Sequence, residues 1–286
     1  MDLLGILMAA AALAPGDAGP PKPAAEYTLS ESWRTVTPRG ETVRAVSGRV
    51  TVVDGKAAWE LESGRFPRSS ASAAVAEGNE VVLLDRAAKL ASDGAWADFE
   101  RLFRPEAGKE PGLSSVAFQD LSVHLGRSAA VGLFQGRPTT RWTIDVSYRL
   151  VISTPGRASR VKHELKATIE TLPWREAAAS PFDRMSRLFP LRGEALAAVE
   201  AELARVEGFP VLVRIDGASE PSGEVVLSKG LPEAASTPAK TTATILRQVS
   251  GLSVHGARPE DVARLTPGEV RSVAWTRLVD EGGGLR

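Results

Sequence analysis

The stretch Arg141–Thr171 reads RWTIDVSYRLVISTPGRASRVKHELKATIET and contains two alternating patterns. Every second residue from Trp142 to Ile152 is apolar, and a second alternation runs from Val161 to Ile169. Because successive strand side chains point to opposite faces of a sheet, each pattern predicts a strand with one buried and one solvated face. The Pro-Gly pair within Thr154–Arg157 predicts a turn. We therefore expect a long antiparallel hairpin on which the rest of the chain packs.

Pro259–Leu265 predicts a short helix, and three further segments outside the hairpin also predict helices. Trp96–Phe103 repeats its aromatic residues at helical spacing. Ser180–Asp183 has the N-cap serine, the proline and the acidic residue of a helix start, which predicts a helix to about Phe189. Glu194–Val206 carries a narrow apolar stripe and is followed by a glycine stop. The last two segments are the expected cover for the apolar face of the hairpin.

Further strands are predicted on both sides of the hairpin. The Asp54–Gly55 pair favours a tight turn between two of them, since such turns need positive φ at both central residues. Val116–Leu125 fits either a strand or a short helix. The other predicted strands are Tyr27–Val36, Thr42–Val53, Lys56–Glu62, Glu80–Asp85, Phe209–Asp216, Gly223–Ser228, Thr241–Val254 and Val270–Val279.

These elements predict an α+β fold, in which a long curved antiparallel sheet resembling half a barrel carries two or three helices on one face. We expect one domain at residues 26–280 and a tail at 281–286. Residues 15–25 are rich in Pro and Gly and predict a linker. Residues 1–14 contain an apolar run of signal-peptide length, although no Lys or Arg precedes it and Asp2 is acidic. The run predicts a periplasmic or secreted protein; without a signal function the protein would be cytoplasmic.

Composition excludes several kinds of site. The 286 residues include 35 basic and 35 acidic side chains, and this balance argues against a large nucleic-acid surface. Cys is absent, so no disulfide, Cys-bound metal or thiol nucleophile exists, and the three His residues lie far apart in sequence. The N-terminal apolar run is too short to span a bilayer. We predict no cofactor, no metal site and no transmembrane span.

No catalytic motif emerges from the sequence. The glycine-rich phosphate loops, the Gly-x-Ser-x-Gly elbow and His-Glu-x-x-His are all absent. His163 lies on the apolar face of its predicted strand, and we interpret it as a half-buried residue hydrogen-bonded to backbone rather than as a general base. Asp145 and Glu170 lie on the opposite face and are interpreted as solvated sheet residues. We therefore predict no catalytic residue.

The order of elements resembles uncharacterised bacterial envelope proteins with a lipoprotein-carrier-like (LolA/LolB-like) half-barrel. The local points of likeness are Gly208–Val211, which enters a strand, and the Asp54–Gly55 hairpin turn. The resemblance covers roughly Glu26–Val254. It implies a strongly curved antiparallel sheet around a helical plug, with an apolar inner face that holds acyl chains, and it implies no catalytic residues. The long helical segment from Pro181 to Gly208 departs from that pattern.

Our first hypothesis is an exported, non-catalytic protein that binds a lipid or another apolar small molecule between the sheet and its helical cover. The expected contact residues are the apolar face of the hairpin: Trp142, Ile144, Val146, Tyr148, Leu150, Val161, Leu165 and Ile169. An alternative is an envelope protein that binds another protein and takes no small ligand. A third hypothesis is a hydrolase whose site assembles from dispersed acidic and His residues.

Overall fold

The computed structural model describes residues 22–103, 115–154, 157–173, 180–222, 226–227 and 240–279. The predicted signal peptide at 1–14, most of the predicted linker, the Pro155–Gly156 turn and the tail at 281–286 lie outside the described residues. Strand structure begins at Pro23, slightly before the expected domain start at Glu26.

One large curved sheet, which does not close on itself, collects the described strands. They are β1 (Pro23–Thr37), β2 (Gly40–Val53), β3 (Lys56–Gly64), β4 (Ala73–Glu77), β5 (Glu80–Asp85), β6 (Leu90–Ala95), β7 (Ser115–Phe134), β8 (Arg137–Thr154), β9 (Arg157–Leu172), β10 (Phe209–Pro221), β11 (Val226–Leu227), β12 (Thr241–Gly256) and β13 (Arg271–Ser272). Their order across the sheet is β13-β6-β5-β4-β3-β2-β1-β12-β10-β9-β8-β7, with β11 beside β9. The first and last parts of the chain therefore meet at the centre, where β1 pairs with β12.

The helical elements are short. They are α1 (Trp96–Phe103), α2 (Gly193–Leu203), α3 (Pro259–Arg264), α4 (Trp275–Leu278) and two 3₁₀ turns at Pro181–Asp183 and Met185–Leu188. We refer to Ser180–Phe189 as the 3₁₀ segment. Among the described residues, the helices are too short or too polar for any of them to cross a bilayer. The α+β fold class and the half-barrel-like sheet are thus confirmed.

The predicted central hairpin is confirmed. Strands β8 and β9 pair without interruption from Thr140 opposite Thr171 to Thr154 opposite Arg157. Trp142, Tyr148 and Leu165 are all buried on one face. That face packs against residues of the 3₁₀ segment and α2, including Phe189, Ala195 and Val199. The alternation was sufficient to assign both faces. Successive side chains of a strand point to opposite sides of the sheet, so only two assignments of the faces are possible.

The helix predicted to run from Ser180 to Phe189 is wrong as an α-helix. Its start forms as expected, since the Ser180 hydroxyl accepts from the Phe182 amide (3.0 Å) and Asp183 accepts from the Ser180 amide (3.0 Å). The carbonyl oxygen of Phe182 then accepts from Arg187 Nη2 (3.1 Å) and from Arg247. Because side chains occupy an acceptor that an α-helix would use, the segment continues as 3₁₀ turns.

The last predicted strand, Val270–Val279, is also wrong. Only Arg271–Ser272 pairs with β6, and the chain then turns into α4. A Cβ atom at Gly94 on β6 would lie 2.5 Å from the ring of Trp275. The missing side chain therefore provides the space in which Trp275 packs, and the helical turn brings Leu278 into the core. The segment Val116–Leu125, whose sequence fitted either a strand or a short helix, lies within strand β7.

Two apolar clusters fill the covered face of the sheet. One lies under α1 and contains Trp59, Phe66, Phe99 and Phe182, whose rings meet mostly edge-on or tilted. The other lies under α2 and contains the inner face of the central hairpin. The 3₁₀ segment runs between them and contributes Phe182 to the first cluster and Phe189 to the second. This segment consequently positions the site described next.

Candidate functional site

Three charged side chains meet on the covered face without exposure to water. Glu31 on β1 lies opposite Arg247 on β12, and its carboxylate accepts from Arg247 Nε (2.9 Å) and Arg187 Nη1 (2.8 Å). Arg187 belongs to the 3₁₀ segment and lies over the rings of Trp59 (5.3 Å) and Phe103 (4.7 Å). One carboxylate thus holds two guanidinium groups, and this contact ties the 3₁₀ segment to the sheet. We call Glu31, Arg187, Arg247, Asp183 and Tyr27 the buried charge network.

Asp183 supplies the second carboxylate of this network. Its oxygens accept from the Tyr27 hydroxyl (2.8 and 2.9 Å) and from the Ser180 amide, and its carbonyl oxygen accepts from Arg247 Nη1 (2.9 Å). Burial raises the pKa of Asp183 to about 6, against the opposing effects of Arg247 and the Tyr27 hydroxyl. Burial, with the nearby Asp183 charge, also raises the pKa of Tyr27 well above its usual value. The network thus brings two carboxyl groups together with two guanidinium groups.

An open cleft of about 830 Å³ lies beside the network. It is bounded by α1, the 3₁₀ segment, the C-terminal end of α2 and the start of β10. Trp96, Leu203 and Pro210, together with small alanines, provide apolar wall. Asp183 also lines the cleft, so the buried charge network holds one of its walls in place. A cleft of this size between a sheet and its helices is a usual location for a small-molecule site.

The polar groups in the cleft are largely engaged with one another. Arg184 lies over the Trp96 ring (5.0 Å) and donates to the Gly78 carbonyl oxygen (3.1 Å) and to Asn79 Oδ1 (3.2 Å). The Trp96 indole N–H donates to Glu100 (2.9 Å). Because these groups and Asp183 already have partners, the surface left for a ligand is mainly apolar. The arrangement suits binding by shape and apolar contact better than acid–base chemistry.

The eight predicted contact residues lie in another place. Trp142, Ile144 and Ile169 are buried against the helical cover and none of the eight lines the cleft. Val146, Tyr148 and Leu165 are buried as well, whereas Leu150 and Val161 are half-buried. Seven of the eight, all except Val161, belong to or pack on the apolar cluster that contains side chains of the 3₁₀ segment and α2. Contact between these eight residues and a ligand remains a prediction.

His163 has a side-chain partner rather than the expected backbone partner. Its Nδ1 lies 2.8 Å from the Ser219 hydroxyl, and its ring stacks on Tyr148 at 4.7 Å. Burial lowers the pKa of His163. Its buried Nε2 has no hydrogen-bond partner among the described residues, and none of their carboxylates orients the ring as a catalytic base would require. A Ser–His pair with no third group gives little support to a hydrolase.

One trio has the composition of a metal site. Ligand atoms of Glu26, His255 and Asp261 lie within 4.8 Å of one another. Arg258 pairs with Asp261 (3.1 Å) and Glu26 (3.3 Å), and Arg264 also pairs with Glu26 (3.2 Å). Because these guanidinium groups already neutralise the carboxylates, a cation would have to displace them. We therefore interpret the trio as an ion-pair network that attaches α3 to β1.

The solvated face of the sheet carries a polar groove of about 560 Å³. His124, Asp145, Lys166, Asp216 and Thr244 form one row across five neighbouring strands. Asp216 accepts from the Thr244 hydroxyl and pairs with Arg214, which lowers its pKa. Opposite charges alternate along the row, as expected for a stable solvated sheet face. Asp145 is exposed there, and Glu170 pairs with Arg141 at 2.7 Å.

Comparison with known proteins adds no assignment. No protein-family model matches the chain, and the search of curated proteins also finds no match.

Sequence reasoning missed the cleft and the buried charge network. Glu31 and Arg247 were the available signals, because each lies on the apolar face of its strand, where a charged residue needs a partner. The pairing of the first strand with the last described long strand was not encoded in any local pattern. Without it, neither residue had an identifiable counterion.

Proposed function

We propose that this chain is a non-catalytic binding protein that takes an apolar or amphiphilic small molecule in the cleft between its sheet and its helical elements. The cleft of about 830 Å³ is the observation that carries the proposal. Its volume lies within the range of small-molecule sites, and its walls combine mainly apolar side chains with few uncommitted polar groups.

The position of the cleft refines the original hypothesis. The inner face of the central hairpin is filled by Phe189, Ala195 and Val199, each fully buried, so a ligand there would have to displace well-packed side chains. The cleft requires no such rearrangement. Ligand contact by Trp96, Leu203 and Ala204 is therefore favoured over contact by Trp142 or Ile144.

The charged rim favours a ligand with a polar end. Arg184 and Glu200 line the cleft and are exposed, whereas Trp96 and Leu203 are buried. An amphiphile would place its chain against the buried wall and leave its head group near these exposed charges. We include in this proposal that the protein is exported to the envelope and acts like a lipoprotein carrier, because amphiphilic ligands occur at membranes.

The test fills the cleft with a bulky side chain. Ala204 lines the cleft at the end of α2, whereas Ala201 is exposed on the same helix and does not line it. We expect Ala204→Trp to lower the affinity for a fluorescent long-chain fatty acid at least tenfold and Ala201→Trp to leave it unchanged. Circular dichroism and the urea midpoint would verify that both variants fold.

Native mass spectrometry of protein purified from its own host provides an independent measurement. We expect a bound species of lipid mass that is lost in Ala204→Trp. Equal fatty-acid affinity in both tryptophan variants, or loss of affinity only after substitution at Trp142 or Ile144, would contradict the cleft as the binding site.

A further inference from the structure

The two ends of the sheet differ in how their backbone groups are satisfied. At one end β13 is two residues long and α4 packs beside it on β6. At the other end lies β7, which has twenty residues, has α2 packed on it, and pairs only with β8 among the described strands. The outward N–H and C=O groups of β7 form a long edge of the kind that pairs with another strand.

Two irregularities divide the edge strand. Register shifts occur between Gln119 and Ser122 and between Ser128 and Gly132. Bulges of this kind disturb a ladder and blunt an edge. The stretch between them, residues 122–128, pairs continuously with residues 141–147 of β8. These seven residues are the longest uninterrupted stretch of the edge strand and therefore the best place for regular pairing with a further strand.

Two copies of this stretch can pair antiparallel about a centre at Leu125. An antiparallel copy centred there places Ser122 opposite Ser128, Val123 opposite Arg127 and His124 opposite Gly126. Each pair points to the same face of the sheet, and no like charges oppose each other. The half-buried side chains of Val123 and Leu125 would lose their remaining exposure in such a pair. If the centre of pairing lay at any other residue, fewer than seven residue pairs would form within this stretch.

We propose that two copies of this chain associate through antiparallel pairing of residues 122–128 of β7, with a two-fold axis at Leu125. Each copy has one long open edge in the described sheet, so this pairing closes after two copies and does not propagate into a fibre. Seven residue pairs bury a small area, and the contact is accordingly a weak, concentration-dependent one.

The absence of Cys from the chain permits a direct test by disulfide formation. Ser122 and Ser128 are exposed on the solvated face of β7. In the proposed pair they face each other at a distance that a disulfide spans, whereas the two Ser122 residues lie about 20 Å apart. We expect Ser122→Cys mixed with Ser128→Cys to form a covalent dimer under mild oxidation. Each variant alone should cross-link no more than Lys166→Cys, an exposed position on β9 that measures random collision.

The double variant Ser122→Cys/Ser128→Cys should form a dimer joined by two disulfides, and light scattering of the natural chain should show its mass rising with concentration. Cross-linking of the mixed single variants at the collisional level would overturn the proposal. Equal cross-linking of Ser122→Cys alone would overturn the register. Capture of a different protein by a photo-crosslinker at position 122, with none of the second copy, would overturn self-pairing in favour of another partner.

Discussion

Glu31 and Arg247 lie directly opposite each other in the register of β1 and β12, and their side chains form an ion pair that is enclosed by protein. Arg187 joins the same carboxylate from the 3₁₀ segment. A surface ion pair contributes little to stability, but removing one member of a buried pair leaves an uncompensated charge. The relationship therefore determines both the stability of the sheet centre and the position of one wall of the cleft.

The first prediction concerns Glu31→Gln. The substitution keeps the size of the side chain but leaves Arg187 and Arg247 with no carboxylate between them. We expect the free energy of unfolding to fall by about 3–5 kcal/mol, measured by urea denaturation. Glu164→Gln is the matched control, because Glu164 pairs with Lys162 in an exposed contact at 2.6 Å and its loss should be nearly silent. Similar destabilisation by the two substitutions would contradict the importance of the buried charge network.

The second prediction concerns pH and Asp183. Its pKa is about 6 in the folded protein and about 3.9 in an unfolded chain, so between these values the folded state holds a proton that the unfolded state lacks. The contribution of Asp183 to the free energy of unfolding should therefore increase as pH falls from 7 towards 4. Asp183→Asn should remove this contribution.

Other carboxylates act in the opposite direction. Asp216 and Glu41 have lowered pKa values because Arg214 and Arg34 donate to them, and their stabilising effect is lost at acidic pH. The measurement is therefore the difference in the free energy of unfolding between the natural chain and Asp183→Asn, obtained from urea titrations at pH 7, 6 and 5. A difference that is constant with pH would show that Asp183 does not titrate in this range.

The third prediction separates the faces of the central hairpin. Tyr148 is 7% exposed and packs on His163 and Phe118, whereas Arg149 points to the solvated face and pairs with Asp120. Tyr148→Asp should cost on the order of 3–5 kcal/mol because it buries an unpaired carboxyl group and removes these ring contacts. Arg149→Asp should cost less than about 1 kcal/mol because water screens the new charge. Thermal and urea unfolding of both variants would measure the two costs. A larger loss of stability in Arg149→Asp than in Tyr148→Asp would mean that the faces are misassigned.

The fourth prediction concerns the entry to β10. Gly208 has φ +94°, and a Cβ atom there would lie 2.2 Å from the carbonyl oxygen of Leu172 on β9. Gly208→Ala should therefore destabilise the protein by at least ~2 kcal/mol, since neither the dihedral angle nor the neighbouring backbone adjusts freely. Gly78→Ala is the control, because Gly78 also has positive φ (+59°) but open space around it. Its cost should be about 1 kcal/mol. Equal losses in urea denaturation would rule out the steric contribution at Gly208.

Much of the fold could be predicted from local patterns. The alternation from Trp142 to Ile152 assigned the faces of β8, and the Asp54–Gly55 pair placed the turn between β2 and β3, where both residues have positive φ. Helix α2 was predicted from its apolar stripe. These predictions succeed because a residue's own neighbours in sequence determine strand alternation, turn geometry and helix amphipathicity.

The remaining elements depend on partners distant in sequence. The 3₁₀ segment has the sequence of a helix start, yet Arg247 donates to the carbonyl oxygen of Phe182 from 65 residues away. Val270–Val279 has an apolar strand pattern, yet Trp275 occupies the space above Gly94. The cleft could not be predicted for the same reason, because its walls come from several elements that are distant in sequence.

The amino-acid sequence by itself determined that this protein builds a long antiparallel sheet with one apolar face and a helical cover, because those properties follow from the short-range periodicity of side chains along the backbone. Only the tertiary structure decided that β1 pairs with β12, which brings Glu31 to Arg247, and that the 3₁₀ segment packs between two apolar clusters. The energy of a buried charge depends on its counterion and its distance from water, and both are properties of the folded arrangement.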